Sequence, residues 1–151
     1  MKRIRHIVLA AAVAALMTAG PSIWHGLRAA DTAAIAQRYQ GLDEVRNRRQ
    51  LKALLGIDPV RVRWCGKFAG MVLRQAGVSP PDGDAAVANW KRWGRKTAPR
   101  RGVIVVFRHS HVGIFTRFKD GRVCVISGNW RNRVGESCRD PRSVLSYRSA
   151  S

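Results

Sequence analysis

The chain of 151 residues is 46% apolar and carries 28 lysines and arginines against 9 aspartates and glutamates, a formal net charge of +19. This length fits one domain of ordinary size, and the apolar content excludes a disordered basic tail. Three cysteines and four histidines exclude a disulfide-framed scaffold and argue against a metal centre, so we expect neither a metal nor a cofactor.

The N-terminal segment has the pattern of an export signal. Lys2, Arg3 and Arg5 precede residues 7–19, an uncharged apolar run of thirteen residues, and this order is typical of the n-region and h-region of a secretory signal. Extended over residues 7–24, the run has eighteen residues and is long enough to anchor the chain in a membrane. Cleavage of the signal and a retained anchor both stay open.

We therefore predict two regions. Residues 1–30 form a signal peptide or an N-terminal membrane anchor, and residues 31–151 form a single domain outside the cytoplasm, either periplasmic or secreted. This domain keeps 24 basic against 9 acidic residues, a balance that attracts polyanions. Export argues against nucleic acid as the partner and favours anionic wall polymers or lipid head groups, although a merely solvated basic face has the same composition. We expect a monomer.

Four helices are predicted in the first half of the domain. Asp31 is a suitable N-cap for the first, apolar residues at helical spacing define the others, and a glycine follows each. The predicted ranges are residues 31–39, 43–55, 65–76 and 84–93.

The second half has the pattern of strands. Alternating or β-branched runs lie between turn residues, with a hairpin turn at residues 119–122. The predicted strands are residues 103–107, 111–118, 123–127 and 144–148. Helices followed by strands predict an α+β domain in which N-terminal helices pack on an antiparallel β-sheet.

Cys65 is the candidate nucleophile, because it lies in the first turn of the third predicted helix, where the helix dipole favours a thiolate. Free cysteines more often only pack in the core, so a catalytic cysteine needs a base nearby. After residue 30 the only histidines are His109 and His111. We favour His111 because it opens a strand that holds it rigidly, and Asn129 at the end of the next strand is the candidate to orient its ring.

The other two cysteines have two interpretations. Cys124 and Cys138 are fourteen residues apart, and a hairpin that turns near Arg131 would place them opposite each other. A disulfide there fits an oxidising compartment and leaves Cys65 as the free thiol. Two buried thiols fit the pattern equally well.

Three short motifs resemble those of the CHAP-like and NlpC-type cysteine peptidases, which are papain-like enzymes that cut peptidoglycan. The motifs are WCGKF at residues 64–68, HVGIF at residues 111–115 and SGNW at residues 127–130, and the similarity extends over residues 36–148. Two departures concern the groove more than the mechanism. Val103 stands where an acidic residue often follows the glycine, and Trp130 replaces a more usual polar residue.

The resemblance implies a papain-like fold and an exported hydrolase that cleaves an amide bond of peptidoglycan through an acyl-enzyme. It implies Cys65 as nucleophile, His111 as base and Asn129 as orienting residue. Trp64 and Trp130 lie beside these residues in the sequence and are our candidates to line the substrate groove. Which amide bond is cut depends on groove residues and stays open. The alternative is a non-catalytic basic protein that binds the wall or the membrane on the same fold.

Overall fold

A computed structural model describes residues 31–150, so the predicted signal peptide or anchor within residues 1–30 lies outside the described residues. Four helices are followed by six strands, and no helix of residues 31–150 is long and apolar enough to cross a membrane. The helices are α1 (Thr32–Gln37), α2 (Arg48–Leu55), α3 (Cys65–Gln75) and α4 (Val87–Trp90). The strands are β1 (Arg95–Lys96), β2 (Ile104–Phe107), β3 (His111–Lys119), β4 (Arg122–Trp130), β5 (Arg133–Arg139) and β6 (Val144–Ser149).

The six strands form one antiparallel sheet in the order β1-β6-β2-β3-β4-β5. The predicted α+β class is therefore confirmed. The two-residue strand β1 is not among the predicted strands, and β5 is predicted only as the return of the hairpin after β4.

Two predicted helices are shorter than expected. α2 begins at Arg48 because the Asp43 carboxylate accepts hydrogen bonds from the backbone N–H groups of Val45 and Arg46, a local arrangement that competes with a helix. α4 is confined to four residues, and Asp84, where the prediction began it, lies in the turn before it.

The central strands are buried on both faces. One face packs against the helices through Ile104, Val106, Val112 and Ile114, together with residues of α1 to α3. The other face forms a second apolar cluster, which includes Val105, Phe107, Phe115 and Val125. Because both faces exclude water, every residue of β2 (Ile104–Phe107) is apolar.

The first turn of α3 lies unusually close to β4. A Cβ atom added at Gly128 would lie 2.6 Å from the Phe68 Cβ and 2.6 Å from carbons of the Trp64 ring. Only glycine allows this approach without displacing the helix. The glycine of the third motif thus sets the distance between the sheet and the residue that starts α3, Cys65.

Cys124 and Cys138 face each other across β4 and β5 and are joined by a disulfide, while Cys65 is free. The bond connects the edge strand β5 to the interior of the sheet. It also leaves the predicted nucleophile as the single reduced cysteine of the described chain.

We expect thiol titration of the denatured, non-reduced protein to give one reactive thiol, and titration after reduction to give three. The reason is that the bridge occupies two of the three sulfur atoms. The Cys65→Ala variant is the control and should give no thiol before reduction. Three thiols in the non-reduced protein purified from an oxidising compartment would exclude the disulfide.

Candidate active site

A polar cavity of about 450 Å³ lies where the start of α3 meets the ends of β3 and β4. Cys65, His111 and Asn129 line this cavity, together with Trp130. The structure therefore brings four of the predicted site residues together. A second cavity of about 460 Å³, beside Asp31 and Trp93, has neither a cysteine nor a histidine among its lining residues.

The Cys65 thiol is held by backbone groups. It lies at the first position of α3 with 3% of its surface exposed. The backbone N–H groups of Val112, Gly66 and Cys65 itself lie near its sulfur and favour the charged form. Because Val112 directly follows His111 on β3, the sulfur is placed next to the backbone that carries the imidazole.

Burial raises the pKa of the Cys65 thiol, although the three N–H groups and the charge of Arg63 act in the opposite direction. The sequence analysis expected the start of the helix to favour the thiolate. The helix does supply hydrogen-bond donors, but the loss of hydration outweighs them. The thiol of the free protein is therefore protonated at neutral pH.

The His111 imidazole is partly buried and neutral. Burial is the main cause that lowers its pKa from the ordinary 6.5 to about 4, and the positive charges of Arg139 and Arg63 contribute to the same shift. Its Nε2 atom lies 2.9 Å from the hydroxyl oxygen of Ser127. A neutral imidazole beside a protonated thiol can accept a proton, which a general base must do.

Ser127 is a site residue that sequence reasoning missed. It lies on β4 with none of its surface exposed, and it, rather than Asn129, provides the hydrogen bond to the imidazole. Asn129 lines the cavity with its backbone in the left-handed region at φ 56°, and its orienting role stays a prediction. The signal for Ser127 was its position two residues before Asn129, on the same side of an ideal strand.

The two tryptophans assigned to the groove have different positions. Trp130 lines the cavity, and its ring centroid lies 4.6 Å from the guanidinium carbon of Arg139. Trp64 has no exposed surface and donates a hydrogen bond to Glu44, so its assignment to the groove is wrong. The residue that precedes the nucleophile turns into the core because Gly128 leaves room for its ring.

Within residues 31–150 there is no group of three or more histidine, cysteine, aspartate or glutamate residues arranged to hold a metal ion.

Residues 57–129 match the family model of the CHAP domain. The matched segment runs from before α3 to near the end of β4 and contains Cys65, His111, Ser127 and Asn129. The resemblance to the CHAP-like family is thereby confirmed, as is the papain-like α+β fold, whereas the NlpC-type resemblance stays a prediction. No curated protein matches the chain.

The lowered pKa of His111 predicts a specific loss of stability in acid. Between pH 6.5 and about 4 the unfolded chain binds a proton at this residue and the folded protein does not, so the free energy of unfolding falls as the pH decreases through this window. Urea denaturation at pH 7, 5.5 and 4 measures the effect. The His111→Gln variant should lose less stability over this range than the wild type.

His109→Gln is the matched control, because His109 is exposed in the turn between β2 and β3. Its pH profile should follow that of the wild type. Parallel profiles for the wild type and His111→Gln would contradict a neutral, partly buried imidazole.

Proposed function

Because residues 57–129 belong to the CHAP domain family, we propose that this protein is an exported cell-wall hydrolase that cleaves an amide bond of peptidoglycan with a cysteine nucleophile. CHAP domains are typically amidases or peptidases that act on peptidoglycan. The observation that carries the finer proposal is the placement of Cys65 and His111 in one cavity, with the sulfur near the backbone N–H of Val112, the residue that follows the histidine.

The proposed reaction begins from the neutral pair. His111 takes the thiol proton as the Cys65 sulfur attacks the carbonyl carbon of the scissile amide. The carbonyl oxygen becomes an oxyanion, and the backbone N–H of Cys65 at the start of α3 is placed to stabilise it. The C–N bond then breaks, His111 protonates the leaving amine, and an acyl-enzyme remains on the sulfur.

The second half of the reaction returns the enzyme to its starting state. His111, neutral again, takes a proton from water, and the resulting hydroxide attacks the thioester carbon. The C–S bond breaks, the sulfur recovers its proton from His111, and a carboxylic acid leaves. Both halves use the imidazole first as a base and then as an acid, so its ring must keep one orientation.

Ser127 is the residue that fixes this orientation in our proposal. If Nε2 donates its proton to the Ser127 hydroxyl, Nδ1 is the nitrogen with a free lone pair, and this nitrogen accepts the thiol proton. The hydroxyl is uncharged, so it does not stabilise an imidazolium as a carboxylate would, and this agrees with a neutral ring. Asn129 remains in the proposal as a second polar group at the rim of the cavity.

We also propose that the domain works outside the cytoplasm. The basic and apolar pattern of residues 1–24 supports export, and the Cys124–Cys138 disulfide is typical of an oxidising compartment. The excess of 24 basic over 9 acidic residues after residue 30 favours attraction to an anionic wall. The same excess is the observation that supports the alternative, a wall-binding or membrane-binding protein without catalysis.

Cys65→Ala is expected to abolish clearing of purified sacculi in a zymogram, with a rate loss of about 1,000-fold or more, because no other residue can form the acyl-enzyme. Sedimentation with sacculi should stay unchanged, since the surface charge is the same. Clearing by the purified variant would remove Cys65 from the mechanism. A wild type that binds sacculi without clearing them would support the alternative.

Ser127→Ala is expected to lower kcat about fivefold to tenfold with little change in KM, because one hydrogen bond to the imidazole is lost. Ring ¹⁵N shifts of His111 should show a changed tautomer balance, which a merely structural role would not produce. Ser137→Ala is the matched control, since this buried hydroxyl on β5 has no hydrogen-bond partner in residues 31–150. Equal effects of the two variants on kcat and ring shifts would refute the positioning role.

A further inference from the structure

Arg139 lies at the end of β5 in contact with two aromatic rings. Its guanidinium carbon is 4.7 Å from the ring centroid of Phe107 and 4.6 Å from that of Trp130. Contacts with two rings restrict the orientation of the planar group. Its hydrogen-bond donors lie in the guanidinium plane, so they can reach a partner only at the edge of the group.

The Nε–H of this guanidinium is buried and has no acceptor within residues 31–150, and the thiolate form of Cys65 is the one charge that stabilises the cation there. In residues 31–150, six carboxylates form ion pairs with other basic side chains, and none of them pairs with Arg139. A partly buried cation without a partner is costly, and burial accordingly lowers the pKa of Arg139. A ligand with negative charge would relieve that cost.

Arg139 lines the cavity that contains Cys65, and two further arginines line the same cavity. Arg63 and Arg131 are exposed, whereas no aspartate or glutamate is among the lining residues. The positive potential is therefore concentrated beside the nucleophile. Three arginines are more positive charge than the oxyanion of the proposed reaction needs. That oxyanion carries a single negative charge, and the backbone N–H of Cys65 is placed to stabilise it.

We propose that this cavity is a carboxylate-binding subsite, in which Arg139 binds a free carboxylate of the wall peptide next to the scissile amide. This inference rests on the proposed function. The planar fork of a guanidinium matches the two oxygens of a carboxylate in a bidentate pair, and the two rings orient that fork. Arg63 and Arg131 attract the same group as it enters.

The subsite restricts the substrate class. An amide whose neighbouring residue has a free carboxylate is bound with its carbonyl near Cys65, whereas the same peptide with a carboxamide lacks the charged partner. Charge-assisted hydrogen bonds are about twice as strong as neutral ones. The enzyme therefore distinguishes acidic from amidated wall peptides.

The test compares hydrolysis of native sacculi with hydrolysis of sacculi whose peptide carboxylates are converted to carboxamides with a carbodiimide and ammonia. The wild type should hydrolyse the native form about tenfold faster or more. In Arg139→Gln this preference should collapse to nearly one. Arg95→Gln is the charge-matched control, because Arg95 lies on β1 at the opposite edge of the sheet, and it should keep the preference.

The outcomes separate the two proposals. Equal rates of the wild type on native and amidated sacculi would overturn the carboxylate subsite and leave the proposed function intact. An equal loss of preference in Arg95→Gln and Arg139→Gln would also overturn it, since the effect would then be one of total charge. Failure of the wild type to hydrolyse either form would overturn the proposed function, and the subsite with it.

Discussion

The packing of the first turn of α3 against β3 and β4 is the constraint on which the cavity depends. Gly128 has no side chain where the Trp64 ring and the Phe68 Cβ approach, so the helix start settles against the strand. This contact places the Cys65 sulfur under the backbone N–H of Val112. The distance of Cys65 from His111, Ser127 and Asn129 depends on this arrangement, because all three are carried by the same two strands.

Burial at this contact shapes the chemistry as well as the geometry. The same loss of hydration raises the pKa of the thiol and lowers that of the imidazole, so the two groups are neutral before substrate arrives. A neutral pair does not need compensating carboxylates in a low-dielectric site. It also agrees with an uncharged hydroxyl as the partner of the ring, and with the arginines that border the cavity, whose charges would oppose an imidazolium.

Sequence reasoning was most accurate where one local signal dominated. The apolar run of β2, the helix that starts at Cys65 and the hairpin turn at Asp120 and Gly121 follow from spacing and turn chemistry, and the structure contains all three. The predicted start of α2 is too early because Asp43 forms an Asx turn with the N–H groups of Val45 and Arg46. This turn competes with the helix, and the spacing of apolar residues does not reveal it.

The site required information that a linear pattern lacks. Ser127 was missed because its contact with His111 depends on how two strands align, and the order of cysteine, histidine and asparagine favoured the amide instead. Trp64 was assigned to the groove because it neighbours the nucleophile, yet the helix start turns its ring inward. Arg139 gave no signal among 22 arginines, since its two aromatic neighbours come from different strands.

The Cys124–Cys138 bond also concerns how the cavity matures. Cys138 directly precedes Arg139, so the covalent link to β4 fixes the edge strand at the point where the cationic wall of the cavity begins. A chain whose sulfurs are still reduced has only backbone hydrogen bonds and side-chain contacts to hold that wall in place. Oxidation of the two cysteines thus adds a covalent constraint to the edge strand directly beside this wall.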